Sequence, residues 1–429
     1  MKSTLKILTL TLGTLTALTG YGKERIILLN EGNWEHDNGK ITYFEDDHVV
    51  SNQWFRDVNG TGKKLGDTPN DIIQVNDNLL AIAVNWSNII QFIDTDGKAV
   101  AATEDVPNNR ELATDGRYVY VTSFGHECLT TDGYVDFEKG FVAKIDTSTY
   151  QVVATCEVGY EPESISYYNG YLFIANTGGY AFQESHEYET TISIVDAETM
   201  TLVRDVDTEQ INLCGKMSRV GQYLCVASAG DYYDVESSTV IFDCDAALRG
   251  DADADCYKVL DCTVNYTTPT RDDKIYAVGA SFSYKTGNSA KYYLTIDPAA
   301  VMRGEGGVEE SLPGTLVEDL KGMTKPYYIY VNPYSGYIYA TDAADYASNG
   351  KLYQWNADGE LLGKHETYIN PSHIIAIDNE QSGMTGVIGM GQDSEDNAIY
   401  NLQGMKVTAP EPGNIYIKNR KKIIYNLNH

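Results

Sequence analysis

A short apolar run closed by an acidic or amide residue recurs along most of this chain, and no other feature restricts the fold so tightly. QFID ends at Asp94, AKID at Asp146, SIVD at Asp196, VIFD at Asp243, LTID at Asp297 and YQWN at Asn356, with TYFED at Glu45 and Asp46 as an earlier copy. The copies stand about 50 residues apart. The closing residue has a local purpose, because its side chain can accept the backbone N–H two residues on and start a turn. The copy at 161–205 displays the whole unit. Strands are expected over 164–168, 171–176, 191–196 and 202–205, with Asn169-Gly170 as one tight turn and Asp196 opening another. Four strands in a repeat of this length is the pattern of a β-propeller blade.

The same strands can be followed from copy to copy. Inner strands are expected near 71–75, 111–114, 164–168, 213–217, 267–270 and 327–331, each followed by a second strand. The first copy begins with a second strand at 25–30, and its missing inner strand stands at 372–378, after the seventh copy. The expected fold is therefore all-β, a seven-bladed propeller over 23–378 closed by its C-terminal strand, which leaves no open sheet edge. On this reading the strands are scaffold, and function belongs to the loops.

The two ends differ from the repeats. Lys2 and Lys6 flank an apolar run at 7–18, too short to span a bilayer and followed by small residues, so 1–22 reads as a signal peptide. Export to the extracellular or outer-membrane surface, or to the periplasm, is expected. No Cys follows the apolar run, the first being Cys128, so the chain is not expected to be lipidated. Residues 379–397 read as a polar linker. Residues 398–429 carry five Lys and Arg against one Glu and read as a small β module, with strands at 398–402, 406–408, 414–418 and 422–426.

Charge and motifs exclude several functions. With 32 Lys and Arg against 61 Asp and Glu, the formal charge of -29 repels nucleic acid. No later segment has the length and apolarity of a transmembrane helix. Nucleophile-elbow, Walker, zincin and dinucleotide-binding motifs are absent, so no catalytic residue and no cofactor are assigned and a non-enzymatic protein is expected. Residues 250–256 are similar to the start of a calcium loop, but Cys256 stands where a Gly is needed and Cys262 where a bidentate Glu is needed, so no metal site is assigned. Among the seven Cys, export permits disulfides, with Cys214 to Cys225 and Cys244 to Cys256 as the pairs to test against buried free thiols.

Loop length singles out one face of the disc. Turns from first to second strand are short, whereas the loops from second to third strand, at 31–39, 124–140, 177–190, 229–238, 281–291 and 343–350, are long. Rigid strands presenting long loops on one side are the usual setting for a binding site. These loops carry Trp34, Trp86, Phe124, Tyr180, Phe182, Tyr232, Tyr233, Phe282, Tyr284 and Tyr346, which offer flat contact area with few rotors to freeze. Asn85, Asn176, His126 and His186 are candidate hydrogen-bonding partners for the same ligand.

LLNEGNW at 28–34, NGKITYF at 38–44, VNGTGKKLGDTPND at 58–71 and AVNWSNIIQFID at 83–94 resemble the opening of a Bacteroidetes family of surface seven-bladed propellers, and the later repeats resemble YVTN-type propellers. The resemblance implies capture of a corrinoid such as cobalamin and delivery to a TonB-dependent outer-membrane transporter. IYNLQG at 399–404 and GNIYI at 413–417 resemble the C-terminal β module of exported Bacteroidetes proteins, sorting domains of type IX secretion among them. A protein- or glycan-interaction scaffold and a lactonase- or quinoprotein-like enzyme are the alternatives.

Overall fold

The repeated strands pair as the sequence predicts, in a computed structural model that describes residues 24–377 apart from 105, 129–136, 182–185, 282, 286 and 288–289, together with short strands between 399 and 424. Seven four-stranded antiparallel sheets form the ring. Blade 1 joins Arg25–Asn30, Lys40–Glu45 and His48–Ser51 to the late strand Pro371–Ala376. Blades 2 to 7 open with the inner strands Pro69–Asn76, Asn109–Thr114, Pro162–Tyr168, Leu213–Val220, Tyr266–Pro269 and Pro326–Val331. Closure is direct: Ile26 pairs with Ala376 and Leu28 with Ile374, and the Ile377 N–H donates to the Arg25 carbonyl at 2.9 Å. The predicted signal peptide, the linker and Asp378 lie outside the described residues.

The closing Asp of each third strand does what its chemistry allows. Asp196 Oδ1 accepts the N–H groups of Glu198 (3.0 Å) and Thr199 (2.8 Å), and Asp94, Asp146 and Asn356 start turns in the same way. Blades 5 and 6 convert that turn into the cap of a short helix. Asp243 caps Cys244–Arg249 and Asp297 caps Pro298–Arg303, and both helices end on a left-handed Gly. The strand pattern alone does not distinguish these helices from turns.

Packing is arranged by seam. Strand residues alternate in facing, so each blade offers apolar rows to both neighbours, and the described core falls into seven clusters that each bridge two adjacent blades. Phe173, Ile192 and Ile194 of blade 4, for example, pack against Leu224, Val240 and Phe242 of blade 5. A Gly and Pro couple recurs on the long-loop side. A Cβ on Gly39, Gly140 or Gly350 would run into the ring of Pro69, Pro162 or Pro371, the first residue of the next blade. The backbone of one blade thus lies directly on the proline of its neighbour.

All seven cysteines are free. The expected pair Cys214 and Cys225 fails because the ladder slips between them: Cys214 faces Ala227, whereas Cys225 faces Ser218. Cys244 and Cys256 share one apolar cluster as buried thiols. The acidic turn at 250–256 is occupied by cations of the chain itself, with Asp253 paired to Arg204 and Asp251 to Arg249 at 2.7 Å.

The chain divides into two compact units, Met1–Met384 and Thr385–His429. In the second, Lys406–Val407, Ile399–Tyr400, Ile415–Lys418 and Lys421–Ile424 lie in that order as an antiparallel sheet.

Candidate functional site

Six of the seven inner strands carry a register shift near their first residues, and those shifts build a site on the propeller axis. Asn70, Glu163 and Tyr327 are single extra residues in their ladders, and Arg110 with Glu111 stand opposite the lone Thr122. In blade 1, Ser372 and His373 fall in the same gap. Blade 5 bulges furthest, with Gly215 at φ 69 and Lys216 and Met217 opposed only by Val226. A bulge re-aims side chains that a regular strand would send into the seams. Here they converge on an axial cavity of about 130 Å3, lined by bulge residues together with Glu31, Tyr266 and Tyr328.

The approach to these strands is also constrained. Thr68, Asn108, Glu161, Asn212 and Asn370, each just before an inner strand, adopt φ between 43 and 59. For Thr68, Glu161 and Asn370 the next residue is Pro, which makes a left-handed conformation more costly still. Each carbonyl is held by the first residue after its blade's second strand: Glu31, Asn85, Phe124, Thr177 and Ala229 donate to Asn370, Thr68, Asn108, Glu161 and Asn212 at 2.9 to 3.2 Å. This ring of bonds places Glu31 over the axis.

Charge inside the cavity is only partly balanced. Lys216 of blade 5 reaches across the axis to the Asp71 carboxylate of blade 2, whose other oxygen accepts the Leu112 N–H at 2.9 Å. Burial works against a charged ammonium, but Asp71 more than offsets it and holds the lysine pKa above its usual value. Arg110 grips Glu163 with two bonds, 3.0 and 2.7 Å, and lies 4.9 Å from the centre of the Phe124 ring. Two carboxyls are left over. Glu31 receives the Tyr327 hydroxyl at 2.8 Å, and burial pushes its pKa up to about 7. Glu111 is 3% exposed; its carbonyl accepts the Thr122 hydroxyl at 3.3 Å, but its carboxylate accepts no hydrogen bond among the described residues, and burial raises its pKa well above the carboxylate range, with Lys216 acting in the other direction. His373 lies 4.8 Å from the Tyr328 ring with Nδ1 buried and unpartnered, and burial, then the charge of Lys216, holds it neutral down to about pH 3.

The loop residues singled out from sequence separate into structural and exposed groups. Asn85 and Asn176 are buried and use their amides internally, Asn85 on Asn108 Oδ1 (2.8 Å) and the Asn109 carbonyl (2.7 Å), Asn176 on Thr191 (2.9 Å) and Ser193 (2.8 Å). Within the protein these amides act as posts holding the loops. Phe124 and His126 are also buried. His126 and His186 converge on the two oxygens of one fully buried carboxylate, Glu161, at 3.2 and 2.6 Å, inside an aromatic shell that includes Phe137, Tyr160 and Tyr180. Among the described residues, no group of three or more His, Cys, Asp or Glu has the geometry to hold a metal ion.

The exposed group is aromatic. Trp34 meets Trp86 edge to face at 5.2 Å. Tyr232, Tyr233 and Tyr284 form an open cluster, and Tyr346 packs on Tyr327 at 5.8 Å, above the cavity wall. Tyr232 and Tyr346 hold equivalent places in blades 5 and 7, after Ala-Gly-Asp and Ala-Ala-Asp, with φ 65 and 64. In both loops the preceding Asp accepts the N–H groups beyond the Tyr, which fixes the strained turn. Phe182 and Phe282 lie outside the described residues. The bulge residues Glu111, Lys216 and His373 were not anticipated; the available signal was a charged or polar residue at the same place in successive inner strands, as in PND, NRE, PES, GK and PSH.

A second cleft, of about 390 Å3, opens at the periphery between the outer strands of blades 2 and 3, lined by Thr103, Val106 and Gln151 among others. It presents no converging charged groups. No helix among the described residues is long and apolar enough to cross a membrane.

No family model and no curated protein matches this chain. Among solved structures, hydrazine synthase of Kuenenia stuttgartiensis is similar with a TM-score of 0.50 at 14% identity, over 71% of this chain and 88% of that one. A quinoprotein alcohol dehydrogenase-like protein of Bacteroides thetaiotaomicron aligns with a TM-score of 0.49 at 14% identity, over 81% of this chain and 77% of that one. At such identities the likeness is one of fold.

Proposed function

We propose that this protein is an exported, non-enzymatic binding protein that captures a bulky solute over the axial mouth of its long-loop face, with a corrinoid as the leading candidate. The observation that carries the reading is the pairing of an exposed aromatic rim, Trp34, Tyr232, Tyr233, Tyr284 and Tyr346, with a polar axial cavity of about 130 Å3. That cavity is below the roughly 300–1,000 Å3 of an ordinary ligand pocket, so a large ligand would rest on the rim and send only a substituent inward. A flat body edged with amides matches aromatic faces surrounding hydrogen-bonding groups. Delivery to a TonB-dependent transporter belongs to the same reading.

Isothermal titration with cobalamin and with cobinamide tests it. Binding in the micromolar range or tighter is expected, weakened about tenfold or more by Trp34→Ala or Tyr346→Ala, as for truncation of an interface anchor. Absence of heat with both compounds would remove the corrinoid, and a glycan-array signal or a recovered protein partner would replace it with a scaffold role.

A further inference from the structure

We propose that the axial cavity is itself a binding site for a small protonated amine, seated between the carboxylates of Glu111 and Glu31 among Tyr266, Tyr327 and Tyr328. The inference concerns the cavity alone and holds whatever the rim binds. Among the described residues around the axis, Glu31, Asp71, Glu111 and Glu163 face Arg110 and Lys216 as cations, with His373 neutral. Arg110 is committed to Glu163 and Lys216 to Asp71. The remaining pair of carboxyls has no cation of its own among the described residues and holds protons in its place.

The lining also selects the kind of cation. A metal ion needs several oxygen or nitrogen ligands at short range, and the described residues offer no such group. An ammonium needs one or two acceptors and tolerates aromatic neighbours, because ring faces carry partial negative charge. The carboxylate of the buried Glu111 accepts no hydrogen bond among the described residues, and His373 Nδ1 is a buried atom without a partner in the same wall. Tyr266 and Tyr327 lie 6.1 Å apart and Tyr266 and Tyr328 6.4 Å apart, so three rings stand together on one side. The Lys216 to Asp71 bridge crosses the axis, and a guest of a few heavy atoms fits the volume beside it.

Protons compete for the same carboxyls. Glu31 is faced by Tyr327, Ser372, Arg110 and Tyr266, and Glu111 by Lys216, Asp71, Glu163 and Arg110. An amine entering between them favours their ionised forms, so it must displace protons at neutral pH and bind more tightly as pH rises. The test is calorimetric titration of the full chain with n-butylamine and with tetramethylammonium chloride, against sodium chloride at matched ionic strength. Millimolar or tighter saturable binding of at least one amine is expected, about tenfold tighter near pH 8 than near pH 6 as Glu31 ionises. Repeating the titration in buffers of different ionisation enthalpy reads the released protons without any variant. Glu111→Gln should abolish binding while retaining the wild-type circular dichroism spectrum. Heat no greater than that of sodium chloride, binding without proton release, or undiminished binding by a folded Glu111→Gln protein would each overturn the proposal.

Discussion

Gly140 and Glu31 show how much can depend on one side chain. Gly140 has no room for a Cβ because Pro162 of the next blade occupies the space, with the Ser123 carbonyl close by. Gly140→Ala is expected to destabilise the propeller by about 1–3 kcal/mol, read as a lower denaturant midpoint with unchanged slope. Glu31 acts through pH. Its pKa of about 7 in the fold lies above the ordinary 4.5, so the native state holds the extra proton. Its contribution is complete below the unfolded value and is lost as pH rises through about 7. His373 has the opposite sign. Held near 3 against an ordinary 6.5, it adds stability that is complete above 6.5 and lost as pH falls toward 3. Between about pH 4.5 and 6.5 the two slopes oppose each other. Glu111, also raised, slopes in the same direction as Glu31. Glu31→Gln removes one of these two falling slopes, so across that interval the variant's stability should rise by roughly 1–2 kcal/mol relative to wild type, measurable by denaturant titration at several pH values.

At the scale of elements, the repeat was legible because its chemistry is local. Asp94, Asp146 and Asp196 announce the end of a strand through bonds made within a few residues, and Asn169-Gly170 announces a hairpin through φ values of 50 and 87. The bulges were not legible, because an extra residue in a ladder is defined only against its partner strand. Lys216 shows the consequence: as a strand residue it has no evident role, and only the slip between Cys214 and Ser218 turns it toward Asp71. The same slip accounts for the expected disulfide that does not form. Loop aromatics could be found from sequence, but their exposure could not, since the Glu161 carboxylate and the Tyr180 ring that enclose His126 come from other segments. The closing strand is the element most open to test. A chain ending before Pro371 leaves Arg25–Asn30 unpaired on one side, and it should unfold at a lower temperature and self-associate through that edge, as seen by thermal denaturation and size-exclusion chromatography.

At the scale of the whole molecule, stability and recognition occupy different places. The seven apolar seams run radially and the polar groups gather on the axis, so a change at the axial site need not disturb the seams. That separation suits a ring whose blades share a framework but differ in what they send to the centre. It also bears on geometry of attachment. The ring begins at Arg25 and is completed at Ile377, joined by one hydrogen bond on the side of the short turns, at the far end of blade 1 from the loop at 31–39. A resin coupled at Arg25 would therefore pull on the back of the disc, and the aromatic rim would face away from it, as the bowl of a spoon held by its handle.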